Sequence, residues 1–389
     1  MKILVIGLLV AAAALGHEDW TERMRRANRL RQSGQHREAR QIYESALLEA
    51  EKAGPKDPRL AEALNNLAAH YFELGRYADA EPLYRRAAEC WRTSQGERSR
   101  GLAKTLSNLA IVYRVLGRYR EAESCHLAAL KITEDARNAQ RVIGLNNLAE
   151  LYRTMGRNEE AEAYARQSAD SALAWLGPDD PNLGNSLHTL AAVLQDLNRH
   201  TEAADLYERV LSIRERFYGR AHPFVASTLN NMAISFIAQK QFENAEPLVR
   251  QAIEIWEKSH GTDHPNFAVS LNNLAQIHRL QGRYAEAEPL YRRAVAIWEK
   301  SLGPDHPDVA KGLSNLAELF REQGKYSGAE SIYLRAIQIL EKSLGRRHPR
   351  AIELRWELAR IYRAMGRKTE AGRLINSIND QDQFSLSAR

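Results

Sequence analysis

The sequence of 389 residues predicts an all-α protein built as a solenoid of about nine helix pairs. Three observations predict this fold class. One short string of residues recurs at a nearly constant interval, apolar residues inside each unit follow helical spacing, and glycine closes the helices. Repetition without insertions is typical of stacked units. With 44% hydrophobic and 27% charged residues, the composition excludes a disordered chain, collagen and a multispanning membrane protein.

The recurring string is Leu-Asn-Asn-Leu-Ala, first found at residues 64–68. Closely related copies begin at Leu106, Leu145, Leu229, Leu271 and Leu313, and degenerate copies begin at Leu187 and Arg355. Six of the seven steps between these copies are 42 residues, and the step from Leu106 to Leu145 is 39. The string therefore marks the same place in eight successive units.

The first half of each unit predicts an amphipathic helix. Leu64, Leu67, Ala68, Tyr71 and Leu74 recur at intervals of three and four residues, which places them on one apolar stripe. A glycine that supplies left-handed backbone follows, at Gly75 and at Gly34, Gly117, Gly156, Gly282, Gly324 and Gly366; Asn198 is a tolerated substitute and Lys240 an exception.

A second helix begins directly after that glycine. Ala80, Leu83, Tyr84 and Ala87 form its apolar stripe. Its opening turns hold a proline in Pro82, Pro247 and Pro289, close to where a missing backbone donor costs least. The recurring aromatic residues on both stripes predict core packing, with ligand stacking as the alternative; they are Tyr71, Tyr113, Tyr152, Phe236, Phe320, Tyr362, Trp91, Trp256 and Trp298.

The linker to the next unit has its own pattern from residue 177 onward. It runs from a glycine to a proline, in residues 177–181, 219–223, 261–265, 303–307 and 345–349. The glycine stops one helix and the proline occupies the first turn of the next. The Asp or His just before the proline is placed to cap that helix.

Residues 282–294 and 297–307 complete the pattern, and it closely resembles the 42-residue tetratricopeptide repeats of the kinesin light chain type. The resemblance covers about residues 20–378 and is weaker over repeats 1 to 3. It implies a right-handed superhelix whose first helices line a concave surface. We expect nine helix pairs, starting near Trp20, Arg59, Gly101, Arg141, Asn182, Phe224, Asn266, Asp308 and Arg350. The more polar first and last pairs suit end caps.

The two ends of the chain differ from the repeats. Residues 1–16 hold one lysine, an apolar stretch and a small-x-small end, which predicts a cleaved signal peptide and export to the periplasm or outside the cell. An uncleaved membrane anchor is the alternative localisation, and a buried first helix is the third interpretation. Residues 17–378 form the predicted solenoid, and the polar residues 379–389 are expected to fray.

The sequence contains two cysteines, Cys90 and Cys125. Export would permit a disulfide, but Cys125 lies seven residues earlier in its repeat than Cys90 does in its own. At about 1.5 Å per residue, that offset exceeds the Cα separation of about 7 Å that a disulfide tolerates. Both are therefore predicted to be small hydrophobic residues of the core.

No catalytic or phosphate-binding motif is present, so the sequence predicts neither an enzyme nor a cofactor. The linkers carry one histidine each at His222, His264, His306 and His348. A zinc site must gather three or four ligands around one point, whereas equivalent places in stacked repeats are about 8 to 10 Å apart. Capping is the favoured interpretation of these histidines, with a metal site as the alternative.

The candidate site residues are a series of asparagines and arginines on the first helices. The resemblance implies that an asparagine at this place contacts a peptide backbone: Asn66, Asn108, Asn147, Asn231, Asn273 and Asn315. Six residues further on, five repeats carry an arginine: Arg114, Arg153, Arg279, Arg321 and Arg363. Amides can pair with a main chain and guanidinium groups with acidic side chains. The alternative is that the asparagines bond only to neighbouring repeats and that the arginines are solvated.

This pattern predicts a non-enzymatic scaffold that binds an extended, acidic protein segment in the groove. Arginine supplies 43 of the 55 basic residues, which fits an acidic partner, and a formal charge of +6 on so long a chain speaks against nucleic acid. Thr189, Gln195 and Ile237 interrupt the series, so two binding segments are possible, in repeats 2 to 3 and 6 to 8. A homotypic assembly scaffold and, further off, a metal- or nucleic-acid-binding solenoid are the alternatives.

Overall fold

The computed structural model describes residues 19–33 and 35–386, and these residues form eighteen helices in nine pairs. We number the pairs as repeats 1 to 9. The first helices are α1 (Trp20–Gln32), α3 (Pro58–Glu73), α5 (Arg100–Val115), α7 (Ala139–Thr154), α9 (Pro181–Asp196), α11 (Pro223–Ala238), α13 (Pro265–Leu280), α15 (Pro307–Glu322) and α17 (Pro349–Ala364). The second helices are α2 (His36–Ala53), α4 (Tyr77–Gln95), α6 (Tyr119–Ile132), α8 (Asn158–Leu176), α10 (His200–Tyr218), α12 (Phe242–His260), α14 (Tyr284–Leu302), α16 (Tyr326–Leu344) and α18 (Lys368–Leu386).

This helix order confirms the predicted all-α solenoid and its nine pairs, since each first helix begins within two residues of its predicted start. Helix α18 extends to Leu386. The boundary at residue 378 and the fraying of residues 379–389 stay predictions. The predicted signal peptide, residues 1–16, lies outside the described residues.

The chain forms two compact units, Met1–Thr189 and Leu190–Arg389. Within each unit, each helix packs against its neighbour in the chain, and first helices of successive repeats also touch. These first-helix contacts join α3 to α5 and α5 to α7 in one unit, and α11 to α13 and α13 to α15 in the other. In each unit the first helices therefore share one continuous surface.

The linkers cap the first helices as predicted. The Nδ1 atoms of His222, His264, His306 and His348 each accept the backbone N–H two residues further on, at 3.1 to 3.3 Å. Asp57 and Asp180 accept the corresponding N–H through a carboxylate oxygen, at 2.9 and 2.8 Å. Because an accepting Nδ1 is unprotonated, each capping imidazole carries its proton on Nε2.

Left-handed backbone closes the first helices of repeats 2 to 9, including at Lys240, where the sequence predicted an exception; Gly34 lies outside the described residues. Gly75 has a φ of 70°, and the residues that replace glycine, Asn198 and Lys240, have φ of 60° and 58°. The prolines of the second helices lie deeper than the first turn, because Pro82 is the sixth residue of α4. Each such proline therefore removes one intrahelical hydrogen bond.

The buried residues recur at equivalent positions of successive repeats. Alanines such as Ala68 and Ala80 are fully buried where helices approach closely, and the tyrosines of the second helices fill the space beside them. Trp298 is 1% exposed and packs over Gly312 of α15. Cys90 is buried, Cys125 is half-buried, and both are free thiols, as predicted.

The Gly312–Trp298 contact predicts the effect of adding one methyl group. A Cβ on Gly312 would lie 2.7 Å from Cζ3 of Trp298 and 2.8 Å from Cγ2 of Val295. We expect Gly312→Ala to lower the free energy of unfolding by about 1 to 3 kcal/mol, the usual effect of overpacking. Gly372→Ala is the control, because nothing lies within 4 Å of the Cβ it would gain. Equal unfolding midpoints in urea for the two variants would contradict the packing.

Buried histidines predict a loss of stability in acid. Burial lowers the pKa of His70, His264 and His278, and it lowers the pKa of His126 to about 4. Between pH 4 and about pH 6.5, His126 binds a proton in the unfolded chain but stays neutral in the folded one. The free energy of unfolding therefore keeps its full contribution from His126 above about pH 6.5 and falls as the pH drops below that value. The lowered pKa of His126 reduces the free energy of unfolding by about 3 kcal/mol at pH 4, compared with its value above pH 6.5.

The variant His126→Tyr isolates this contribution, because Tyr84 and Tyr207 occupy the same place in their repeats. The free energy of unfolding should depend less steeply on pH between 6.5 and 4 in the variant than in the unaltered chain. Identical slopes in denaturant titrations across that range would show that His126 does not stay neutral in the folded state.

Candidate functional site

The six predicted asparagines lie at one helical position, on the surface that the first helices share within each unit. Five of the side chains are half-buried, and Asn273 is buried, with 3% of its surface exposed. They are placed by the apolar stripe that follows them: Leu67 and Ala68 enter the core, which leaves Asn66 at the edge.

Several of these amides connect neighbouring repeats. The Nδ2 of Asn108 donates to Oδ1 of Asn65 at 3.3 Å, and Asn315 donates in the same way to Asn272 at 2.8 Å. In repeat 2, Nδ2 of Asn66 lies 3.7 Å from the sulfur of Met24. At these places the asparagine at least partly serves the stacking of one first helix on the next.

Repeats 6 and 7 leave the corresponding amide bridge open. Asn230 and Asn273 are 43 residues apart, the same separation as in the two bridged pairs. Asn230 instead donates to Oγ of Ser270 at 2.7 Å. Oδ1 of Asn230 and Nδ2 of Asn273 are both buried and have no hydrogen-bond partner in the described part of the chain. One acceptor and one donor are therefore unsatisfied on the same pair of first helices.

The surface around this open pair is almost uncharged. Helix α11 contains no Asp, Glu, Lys or Arg, and α13 contains only Arg279. Ile237, which stands where other repeats carry the arginine, is buried, and Ile234 is half-buried. Repeats 6 and 7 thus present amides beside aliphatic side chains.

The predicted arginines are not uniformly available. Arg279 is bonded to Glu322, with Glu318 3.9 Å away, and Nη2 of Arg321 lies 2.6 Å from Glu318. Arg153 lies 3.6 Å from Glu150. Arg114 and Arg363 have no carboxylate within 4 Å among the residues that the structure describes.

In repeats 7 and 8, glutamates of the same surface therefore neutralise the arginines that were predicted to bind an acidic segment. The carboxylates involved, Glu150, Glu318 and Glu322, lie three or seven residues after the asparagine position, on the same face of the helix. That spacing is visible in the sequence and predicts the ion pairs.

Where the series is interrupted, the substitutes bond within their own unit. Thr189 donates to Glu150 at 3.0 Å. Nε2 of Gln195 donates to the carbonyl of Asn231 at 2.7 Å and to Oγ of Ser235 at 2.8 Å. Thr189 and Gln195 thus bond to a neighbouring repeat, as the bridging asparagines do elsewhere, but through different partners.

A second set of arginines has a structural role that the sequence analysis also missed. The guanidinium of Arg118 lies 4.4 Å from the ring centroid of Tyr113, and it pairs with Glu81 of the preceding repeat at 2.9 Å and with Glu121 at 2.9 Å. The same guanidinium lowers the pKa of Glu121. Equivalent cation–π contacts occur at Arg76, Arg157 and Arg367. The Gly-Arg pair that precedes these four second helices was the available signal.

The linker histidines use Nδ1 for capping, which confirms that interpretation of them. Within residues 19–33 and 35–386, no group of three or more His, Cys, Asp or Glu side chains is placed to hold a metal ion. In the same residues, no helix is both long and apolar enough to cross a membrane.

The chain matches one protein family along most of its length. The model of that family, described as tetratricopeptide repeat, matches residues 20–93, 59–135, 140–216, 224–297, 266–342 and 308–376. No curated protein sequence matches the chain.

Solved structures with the same fold are distant in sequence. The apo form of the quorum sensor NprR from B. thuringiensis is 14% identical over 92% of this chain and 97% of that chain, with a TM-score of 0.63. A Rap protein complexed with Competence and Sporulation Factor is 13% identical over 95% and 99%, with a TM-score of 0.61. A protein of Podosopora anserina assigned as a kinesin light chain, with nearly identical TPR-like repeats, is 28% identical over 53% and 98%, with a TM-score of 0.45.

Proposed function

Because the chain belongs to the tetratricopeptide repeat family, we propose that it is a non-enzymatic scaffold that binds an extended protein segment along α11 and α13. Proteins with this repeat fold are interaction scaffolds. The first helices of repeats 6 and 7 are the best candidate surface in this chain.

The observation that carries the proposal is the open amide pair. A buried polar atom without a partner is costly, and the bridged pairs at Asn65–Asn108 and Asn272–Asn315 avoid that cost. Asn230 offers an acceptor and Asn273 a donor. Both atoms are buried, so the two side-chain amides must turn toward the shared first-helix surface before an extended peptide, which presents one N–H and one C=O at each residue, can satisfy them.

The charges suggest what the segment contains. Because α11 lacks charged residues and Arg279 already has carboxylate partners, the part of the segment over repeats 6 and 7 is uncharged, with an apolar side chain against Ile234. The predicted preference for an acidic segment rests on Arg114 and Arg363, each within its own unit. Within the unit that holds α11 and α13, an acidic residue of the segment pairs with Arg363, since repeats 7 and 8 balance their own charge.

The proposed place of action follows from residues 1–16 alone. Their signal-peptide pattern supports export to the periplasm or the cell exterior, and an uncleaved segment would instead tether the scaffold to the membrane.

The proposal is tested by comparing an open amide with a bridged one. Peptides are selected from a random displayed library on the full chain, and their dissociation constants are measured by fluorescence anisotropy. Asn273→Leu removes the open donor, so we expect binding to weaken at least tenfold, about 1.4 kcal/mol. Its stability should stay equal or rise, because a buried unsatisfied group is replaced by an apolar one of similar size.

Asn315→Leu is the matched control, one repeat further along. It breaks the bridge to Asn272, so it should lower the unfolding midpoint and leave peptide affinity within about twofold of the unaltered chain. A library that yields no binder, or equal weakening by both variants, would refute the proposed site.

A further inference from the structure

An exposed group of aromatic rings lies at the linker between repeats 5 and 6. We call Phe217, Tyr218 and Phe224 the aromatic patch. Phe217 is 59% exposed and Phe224 is 46% exposed, and no other phenylalanine side chain in the described part of the chain is exposed. Large apolar side chains grouped on a surface mark a contact site more often than single ones do.

Comparison with repeats 6 to 9 shows that stacking does not require a phenylalanine at either place. The place of Phe217 is taken by Ser259, Ser301 and Ser343, whose hydroxyls each donate to a carbonyl four residues earlier at 2.7 Å. The second residue of the first helix, Phe224 in α11, is polar in the equivalent helices, as Asn266, Asp308 and Arg350. Repeat 4 carries the half-buried Trp175 at the place of Phe217, whereas the linkers after repeats 6, 7 and 8 have small or polar residues at both places.

The rings of the patch are held in a fixed arrangement. Tyr218 contacts Phe217 and Phe224 edge-on, with ring centroids 4.8 and 5.2 Å apart, and His222 stacks on Tyr218 at 4.6 Å. Behind Phe224 the buried Arg214 lies 5.5 Å from the ring centroid and donates to the carbonyl of Phe224 at 3.1 Å. A rigid aromatic surface loses little conformational entropy when a partner covers it.

Charges of both signs lie on α10 and in the linker that follows it. Glu208, Glu215, Arg216 and Arg220 line an open groove of about 430 Å³ with Leu211. Oε2 of Glu215 and Nε of Arg220 are 3.5 Å apart. A surface with both signs is complementary to itself, because a two-fold rotation can place the acidic groups of one copy against the basic groups of another.

We infer that the aromatic patch and the charged groove of α10 are the surface through which a second copy of this chain docks. The contact is isologous: the phenylalanines of the two copies cover each other, and the charged groove supplies the rim. This surface is separate from the amides of α11 and α13, so the inference does not depend on the proposed peptide site.

The test measures association of the full chain by sedimentation velocity over a range of concentrations. We expect twice the mass of one chain at the higher concentrations. Phe217→Ser with Phe224→Asn introduces the residues that other repeats carry, so it should keep the helical signal and the unfolding midpoint while weakening dimerisation at least tenfold. Phe217→Ser alone is the second variant, should the pair of substitutions disturb Arg214.

Two controls make the result specific. Leu48→Ser removes an equally exposed apolar side chain, 61% exposed, from α2 and should leave dimerisation unchanged. The chain from His17 onward, measured beside the full chain, separates association through the patch from association through the apolar residues 3–15.

Charge reversal then identifies the partner as a second copy. Arg220→Glu makes the groove acidic and Glu215→Arg makes it basic, so each variant should self-associate less than the unaltered chain, and the two mixed should associate with each other. A chain that stays monomeric at every concentration would overturn the inference, as would a dimer unaffected by the phenylalanine substitutions. Binding of a monomeric chain to lipid vesicles, lost in the same variants, would overturn it in favour of a membrane surface.

Discussion

The whole structure depends on one constraint: a single pair of helices of this length cannot bury its apolar stripes by itself. Each pair therefore uses the next as the other half of its core, which requires the same alanines and aromatic residues at the same places in every repeat. Trp298 resting on Gly312 shows how closely the fit is adjusted, since the backbone of one helix contacts the indole of another. Capped helix starts and left-handed helix ends keep the repeats in register, so that this packing can recur.

The polar side chains of the first helices divide between two tasks under that constraint. Once helices are stacked this closely, an asparagine beside the core either bonds to the next repeat or remains unsatisfied. Asn108 and Asn315 satisfy themselves across repeats, whereas Asn230 and Asn273 each retain an unsatisfied atom. A repeated motif can thus be bridged in one repeat and unbridged in another. The difference lies in how the preceding amide meets the hydroxyl beside it: Asn230 donates to Ser270, whereas Oδ1 of Asn65 accepts from Thr105 and still accepts from Asn108.

Arginine follows the same division. Arg118 belongs to the framework, because it covers Tyr113 and pairs with a glutamate of the preceding repeat. Arg279 and Arg321 lie on the shared first-helix surface, yet Glu318 and Glu322 take up their charge. The abundance of arginine in this chain is therefore explained in good part by bonds between repeats, and it is weaker evidence for an acidic partner than the composition suggested.

The sequence alone determined the fold class, the nine helix pairs, the capping histidines and the membership of the tetratricopeptide repeat family with kinesin light chain-like repeats. It could do so because these features depend on residues close in the chain or on a spacing repeated many times. Only the tertiary structure decided which asparagines are bridged, which arginines face a carboxylate and that Phe217 and Phe224 both pack on Tyr218 at the surface. Those outcomes depend on side chains about 40 residues apart or on exposure, and a repeat pattern assigns the same residue type to each place without fixing which neighbour it bonds.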